Sequence, residues 1–423
     1  MLSKRNYLYL LAWLLFICLS CSKIEVNQGS NPSASSIIFY GNQYGNFLYS
    51  VYPTQDKGIV FGGNLVAGPN GSSKGFIQKT DQNGKLIWYN IYGGPDYDFF
   101  NTVKPTSDGG FIAAGATTSY GNGIARGDFY TDCYLVKTDG NGKILWQKTF
   151  GSTFDDRFFD VVQTSDGGYV AVGLTYNTTT NTTTYVVKTD KNGNLLWSHS
   201  LFPKDYFSYG ASVTIGPNNE IGVAVYHVKS LLASDQGTHY PAFVLLSAAG
   251  VFINYPFQIY SNWVSMPYDR YGNYGTSFYP EKITGAQDGF IFAANLQTSP
   301  NSIMLFKVDL KGNIVWNQEF YGLGSATCND IISNGSGGYL ISGGTIDASG
   351  LSYAWLLNTD VNGNKIRESS TPMNGFTGWI SGAIPNAKGF GLGLNMIPSN
   401  TAFQDHFGLI FTDQNGKIIE HSK

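Results

Sequence analysis

Three sets of residues have the types and spacing that chemistry requires. The first is an aromatic run, YPFQIYSNWVSMPYDRYGNYGTSFYP at 255–280, which holds Tyr260, Trp263, Tyr268, Tyr271 and Tyr274. Rings that join an apolar face to a polar tip stack on sugars or anchor a protein partner; the same rings also pack a long loop onto its own domain. The second set is acidic: Asp96 and Asp98 in GGPDYDFF, and Asp155 and Asp156 in GSTFDDRFF. Facing carboxylates can hold a calcium ion. Isolated ones bond to backbone amides in turns, which is the simpler expectation here.

The third set is the five histidines, His199, His227, His239, His406 and His421. No HExxH occurs and no two share a metal-ligand spacing, although His227 and His239 flank one variable segment. There is no GxSxG, no phosphate loop and no dinucleotide fingerprint that follows a strand and opens a helix. GNGIARGD at 121–128 and NTTTNTTTY at 177–185 read as variable loops. The sequence therefore names no catalytic residue, no metal ligand and no cofactor.

What must position these residues is a repeat. TSDGGFIAAG at 106–115 and TSDGGYVAVG at 164–173 are near copies, echoed by TQDKGIVFGG at 54–63 and AQDGFIFAAN at 286–295. A second motif, TDxNG, is the better ruler: its glycine stands at Gly84, Gly142, Gly193, Gly312, Gly363 and Gly416, with a degenerate copy at Gly250. These seven markers are 51 to 62 residues apart. Asp-Gly and Asn-Gly suit tight hairpins because the turn needs positive φ. Each unit thus reads as four strands, with DGG closing the first hairpin and NG the last.

Units of this length that cannot bury both sheet faces alone are the signature of a β-propeller, and seven units give seven blades. Trp88, Trp146, Trp197 and Trp316 each follow a turn glycine by four residues, a placement expected of packing between blades. The unit DGGYVAVG…YVVKTDKNGNLLW resembles the bacterial β-propeller repeats of secreted and surface proteins. More distantly, the turn with its tryptophan is similar to the tryptophan-docking motif of quinoprotein dehydrogenases and of the lipoprotein that assists outer-membrane protein assembly. The resemblance spans roughly 37–423 and implies fold; no residue set here carries over to the calcium-bound cofactor site of quinoprotein enzymes. Gly93 and Gly151 each precede a DGG aspartate by 15 residues, and Gly41 precedes Asp56 by the same 15. SIIFYG at 36–41 is therefore the end of a fourth strand, and the chain's start should complete the last blade.

The first twenty residues, MLSKRNYLYLLAWLLFICLS, pair a basic start with an apolar run, the pattern of an export signal. Ser20-Cys21 after it resembles the lipobox of bacterial lipoproteins, with Cys18 where that family prefers leucine; the resemblance implies acylation at Cys21. Residues 21–36 are small and polar, a tether, and 37–423 form the propeller. Without residues 1–20 the chain has 24 basic and 29 acidic residues and no basic run, a poor match to nucleic acid. Besides Cys21, this mature chain keeps Cys133 and Cys328, too few for a disulfide framework.

The expectation is an all-β, seven-bladed propeller with four antiparallel strands per blade, its ring closed by both termini. It would be a monomer held at the outer membrane, periplasmic or surface-facing, touching the membrane through its lipid anchor alone. Long connections fall on one face of the disc, where loops on a rigid scaffold collect function. A binding module for a glycan or a protein is the leading reading. A propeller-type glycan hydrolase or lyase, using carboxylates at the axis, is the alternative.

Overall fold

The computed structural model describes residues 37–40, 45–67, 72–121, 130–176, 182–201, 207–228, 239–258, 282–296, 300–373, 376–386, 389–398, 406–413, 417 and 419. These form 28 strands in seven four-stranded antiparallel sheets. Strand β1 (Ile37–Tyr40) belongs to the last blade. Blade 1 is β2 (Asn46–Pro53), β3 (Ile59–Ala67), β4 (Ser72–Thr80) and β5 (Leu86–Tyr92). Blade 2 is β6 (Asp98–Pro105), β7 (Phe111–Thr117), β8 (Asp132–Thr138) and β9 (Ile144–Phe150), and blade 3 is β10 (Asp156–Gln163), β11 (Tyr169–Tyr176), β12 (Thr182–Thr189) and β13 (Leu195–Leu201). Blade 4 is β14 (Phe207–Ile215), β15 (Ile221–Val228), β16 (His239–Leu246) and β17 (Phe252–Gln258). Blade 5 is β18 (Lys282–Ala286), β19 (Gly289–Leu296), β20 (Ser302–Asp309) and β21 (Ile314–Phe320). Blade 6 is β22 (Ser325–Ser333), β23 (Tyr339–Ile346), β24 (Ser352–Thr359) and β25 (Lys365–Pro372); blade 7 is β26 (Phe376–Pro385), β27 (Gly389–Pro398), β28 (His406–Asp413) and β1.

Each first strand neighbours the first strand of the next blade, and β26 neighbours β2, so the seven surround one axis. The second and third strands are buried on both faces; β7 and β8 are buried along their whole lengths. Their apolar side chains mesh between blades, as where Val170, Val172 and Val186 of blade 3 pack on Val213, Val223 and Val244 of blade 4. Full burial of one such side chain contributes about 1.5–3 kcal/mol, so the seams between sheets hold the disc together.

The repeated turns take the form their sequence dictates. In blade 2 Asp139 N donates to Lys143 O at 2.9 Å, Gly142 adopts φ 79°, and Asp139 Oδ1 accepts from the amides of Asn141 and Lys143. The tryptophans lock these turns to the preceding blade. Trp146 Nε1 donates to Lys191 O at 3.1 Å, and a Cβ at Gly193 would stand 2.9 Å from the indole, too close to tolerate. The indoles of Trp197 and Trp316 come equally close to Gly250 and Gly363.

Both termini close the ring. β1 pairs with β28 from Ile37↔Ile410 to Tyr40↔Phe407. Beyond it, Ile419 N donates to Phe411 O at 2.8 Å, continuing the same edge. The outer strand of blade 7 is thus assembled from the two ends of the chain. Tyr40 stacks on Phe407 at 5.4 Å and its hydroxyl donates to Gly84 O of blade 1.

Tight turns between first and second and between third and fourth strands share one face of the disc. Connections from second to third strand, and from blade to blade, share the other. No helix among the described residues is long and apolar enough to cross a membrane.

Candidate functional site

The acids singled out by sequence do not come together. Asp98 is fully buried and accepts from Gly94 N and Ser119 Oγ, both at 2.8 Å, from Lys74 Nζ at 3.2 Å, and from Thr117. Asp96 is exposed, its backbone amide bonded to Ser119 Oγ. Asp156 accepts from Ser152 N at 2.6 Å, while Asp155 binds Thr131 and pairs with Arg157 Nη2 at 2.8 Å. They organise the loops that lead into β6 and β10, and among the described residues no group of three or more His, Cys, Asp or Glu could hold a metal ion. Burial pushes the Asp156 carboxyl up to about 6, against hydrogen bonds from Thr175 and Ser152 that favour its charge, and Asp132 adds to the rise.

Tyr260, Trp263, Tyr268, Tyr271 and Tyr274 lie outside the described residues, as does Cys21. β17 ends and β18 begins on the loop-rich face, so the segment carrying these rings leaves and returns there. The register of β15 on β16 sets His227 opposite Tyr240 and His239 opposite Val228.

On that face the first strands of blades 2, 3 and 4, with Tyr226 of β15, carry a cluster of rings that sequence reading missed. Arg157 lies over the Phe99 ring at 5.7 Å. Phe159 meets Tyr209 at 5.1 Å, and Tyr209 stacks on Tyr226 at 4.9 Å. Tyr49 of β2 is exposed. Several of these residues sit at or next to a β-bulge, since β2, β6, β10, β14, β22 and β26 each break register at one step. A bulge bends the strand and re-aims its side chains, here around the axis.

Further along the strands, three residues beyond Phe99, Arg157 and Tyr209 and directly after Tyr49 and Phe159, runs a ring of seven: Ser50, Thr102, Asp160, Ser212, Lys282, Asp330 and Gly382. All pair with the same step of the second strand, from Gly62 and Ala114 round to Ser342 and Gly393. Asp160 is fully engaged. Its Oδ1 pairs with Lys104 Nζ at 2.6 Å and accepts from Val161 N at 2.8 Å, while its Oδ2 accepts from Ser212 Oγ at 2.9 Å and Val213 N at 3.0 Å. Lys104 Nζ also lies 5.6 Å from the centre of the Tyr52 ring.

Asp330 is different. It is half-buried, and among the described residues its carboxylate accepts one hydrogen bond, from Ile331 N at 3.0 Å. Burial pushes its carboxyl up, Lys282 and Lys104 pull it down, and Asp160 opposes them. Burial likewise raises the Tyr52 phenol, with Asp330 and Asp160 adding to the rise. Lys104, Asp160 and Tyr52 thus lie together, with Asp330 and Lys282 near enough for their charges to be felt. Asp160 in FFDVVQT carried a signal, an acid between apolar neighbours, whereas Asp330 in CNDIIS follows Asn329 in a largely polar strand and carried none.

No family model matches the chain, and no curated protein matches its sequence. Among solved structures it is similar to the polysaccharide lyase Uly1, at 11% identity and TM-score 0.52, covering 92% of this chain and 94% of that one. It is also similar to a puromycin hydrolase S511A mutant complexed with PGG, at 12% identity and TM-score 0.53, covering 88% of this chain and 53% of that one. A weaker likeness, TM-score 0.45 at 9% identity, is to the β-propeller domain of the Trilobed protease from Pyrococcus furiosus, covering 89% and 96% of the two chains. The chain spans about half the length of the puromycin hydrolase it matches. At such identities the likeness establishes the propeller fold alone.

Proposed function

We propose that this propeller is an exported, lipid-anchored binding module whose ligand, a glycan, enters the axial mouth of the loop-rich face. The observation that carries the reading is the stacking of two unlike layers. Rings from Phe99, Phe159, Tyr209 and Tyr226 cluster on blades 2 to 4 near the start of the first strands, and further along those strands lies a ring of charged and hydroxyl groups from neighbouring blades. Aromatic faces suit the C–H faces of a sugar, and mixed donors and acceptors suit its hydroxyls. A protein partner would use the rings but not the recessed polar layer.

Asp330 favours a second reading, catalysis at the axis, because burial raises its carboxyl as acid–base work requires. Glycoside hydrolysis needs two available carboxylates. Asp160, the other acid of the ring, has both oxygens occupied by Lys104, Val161, Ser212 and Val213, which supports binding over turnover.

A glycan array probed with the parent chain and with Phe159→Ala and Trp263→Ala tests the reading. Binding that falls at least tenfold in either variant supports it; unchanged binding in both sinks the mouth as the site. Shortened or unsaturated products from a bound glycan would replace the binding reading by the enzymatic one. For the anchor, Cys21→Ser should release the chain from membranes, and fractionation as before would refute acylation at Cys21.

A further inference from the structure

The ring of seven contains the same acid twice, in two settings. Asp160 and Asp330 occupy equivalent steps of β10 and β22, and each bonds the amide that follows it, Val161 N at 2.8 Å and Ile331 N at 3.0 Å. Each faces the next blade's residue at that step, which is Ser212 for Asp160 and Gly382 for Asp330. Ser212 Oγ donates to Asp160 Oδ2 at 2.9 Å. Gly382 has no hydroxyl to give, and Asp330 Oδ2 is turned towards it: a Cβ built on Gly382 stands 3.4 Å from that oxygen.

Neither backbone nor space demands a glycine at 382. Its φ is not in the left-handed region, and the built Cβ meets Asp330 Oδ2, Val51 O and Val51 Cβ at 3.4, 3.4 and 3.5 Å, ordinary contact distances. Glycines elsewhere in the blades are obligatory, as at Gly343 of β23, where a Cβ would fall 1.8 Å from Thr327 O. Glycine at 382 therefore leaves a notch beside an axial carboxylate oxygen, in a chain that fills the twin position with a serine. A half-buried carboxylate oxygen is a strong acceptor, and a ligand hydroxyl that donates to it gains a charge-assisted hydrogen bond. Lys104 and Lys282 lie near enough for their charges to favour the ionised form of Asp330, which makes it the stronger acceptor.

We propose that the notch at Gly382 is a subsite for a hydroxyl of a glycan's terminal sugar, which donates to Asp330 Oδ2 as Ser212 donates to Asp160. The proposal rests on the glycan-binding reading above and adds to it the direction of entry. The ring lies beneath the mouth, so a sugar reaching it comes end-on along the axis, its terminal unit first.

The test uses Gly382→Ser, which supplies the missing hydroxyl from within the protein. The substitution copies the arrangement at Ser212, so its melting temperature should equal or exceed that of the parent. The probe is an array of neutral oligosaccharides, each printed with its terminal hydroxyls free and with them O-methylated. The parent should bind the free-ended forms at least tenfold more tightly than the methylated ones, and Gly382→Ser should lose that preference, as should Asp330→Asn. Indifference of the parent to methylation, or full retention of binding by Gly382→Ser, overturns the subsite. Binding that Phe159→Ala weakens but Gly382→Ser leaves intact would dismiss the notch while keeping the aromatic mouth. Failure of the parent to bind any glycan would overturn both.

Discussion

Ser212 Oγ reaches Asp160 Oδ2 at 2.9 Å across the seam between blades 3 and 4, joining two sheets beside the axis. The same carboxylate holds Val213 N at 3.0 Å and, on the other side, Lys104 of blade 2 at 2.6 Å, so one acid ties three consecutive blades. Removing the hydroxyl leaves Oδ2 with the amide alone. Ser212→Ala should lower unfolding stability by about 1–2 kcal/mol, the worth of a hydrogen bond to a charged group with one partner retained. A urea midpoint identical to the parent's would show that the seam does not depend on it.

The turn face carries a second set of ties that follow the repeat. Lys79, Lys137, Lys188 and Lys307, each on a third strand, pair with Asp56, Asp108, Asp166 and Asp288 of the first hairpin turn in the same blade. Lys79 and Thr54 lower the Asp56 carboxyl to about 2. At Asp108 and Asp166 burial acts in the opposite sense but is outweighed by the threonine and lysine bonds, again giving about 2. A depressed acid contributes stability that is present above its unfolded value and lost as pH falls through the folded one. Melting temperature should therefore drop between pH 4 and pH 2, and the drop should shrink in a chain carrying Asp56→Asn, Asp108→Asn and Asp166→Asn together. These carboxylates are more than half exposed, which limits the size of the effect. An unchanged acid slope in the triple variant would contradict the assignment.

One pair of that set also predicts an asymmetry. The Lys137 side chain is 3% exposed whereas that of Asp108 is 53% exposed. Losing the acid strands a buried ammonium, while losing the lysine returns a carboxylate to water. Asp108→Asn should consequently destabilise more than Lys137→Met in paired denaturant titrations; the reverse order would refute the argument.

Much of this architecture was legible in the chain. DGG and NG turns at a repeating interval state the strand count, because only hairpins of fixed geometry need Gly142 or Gly193 at positive φ. The tryptophans at a constant offset announced docking between blades, and the spacing of Gly41 from Asp56 announced closure by the first strand. The axial ring was not legible in the same way. Whether Asp160 and Asp330 face each other depends on bulges that shift register by one residue, and nothing in the local sequence marks that step. The acids at 96, 98, 155 and 156 attracted attention through density, yet density in a loop reflects its need to satisfy backbone amides, as Asp98 does for Gly94.

Asp156 offers a pH effect of opposite sign to the turn acids. An acid whose folded value is raised destabilises the fold once charged: the penalty is absent below its unfolded value near 3.8, grows as pH rises to about 6, and is constant above. Asp156→Asn should melt higher than the parent at pH 7.5 and at the same temperature at pH 3.5. Equal melting at both pH values would mean that burial does not penalise this carboxylate.

Closure by the termini concentrates risk at one residue. Phe407 is fully buried and stacks on Tyr40 at 5.4 Å and Phe76 at 5.2 Å, joining β1, β28 and blade 1. Phe407→Ala should cost about 3–5 kcal/mol and admit proteolysis near residues 37–40 before any other strand is cut. Uniform proteolysis of all blades would argue against a seam at the termini.

Amide hydrogen exchange, measured with and without the glycan bound most tightly on the array, tests the central claim. Binding at the axial mouth predicts slowed exchange in peptides covering Phe99, Arg157–Asp160, Tyr209 and Asp330, with the hairpin turns at Asp108 and Asp139 unaffected. Protection confined to those turns would place the ligand on the opposite face and contradict the account.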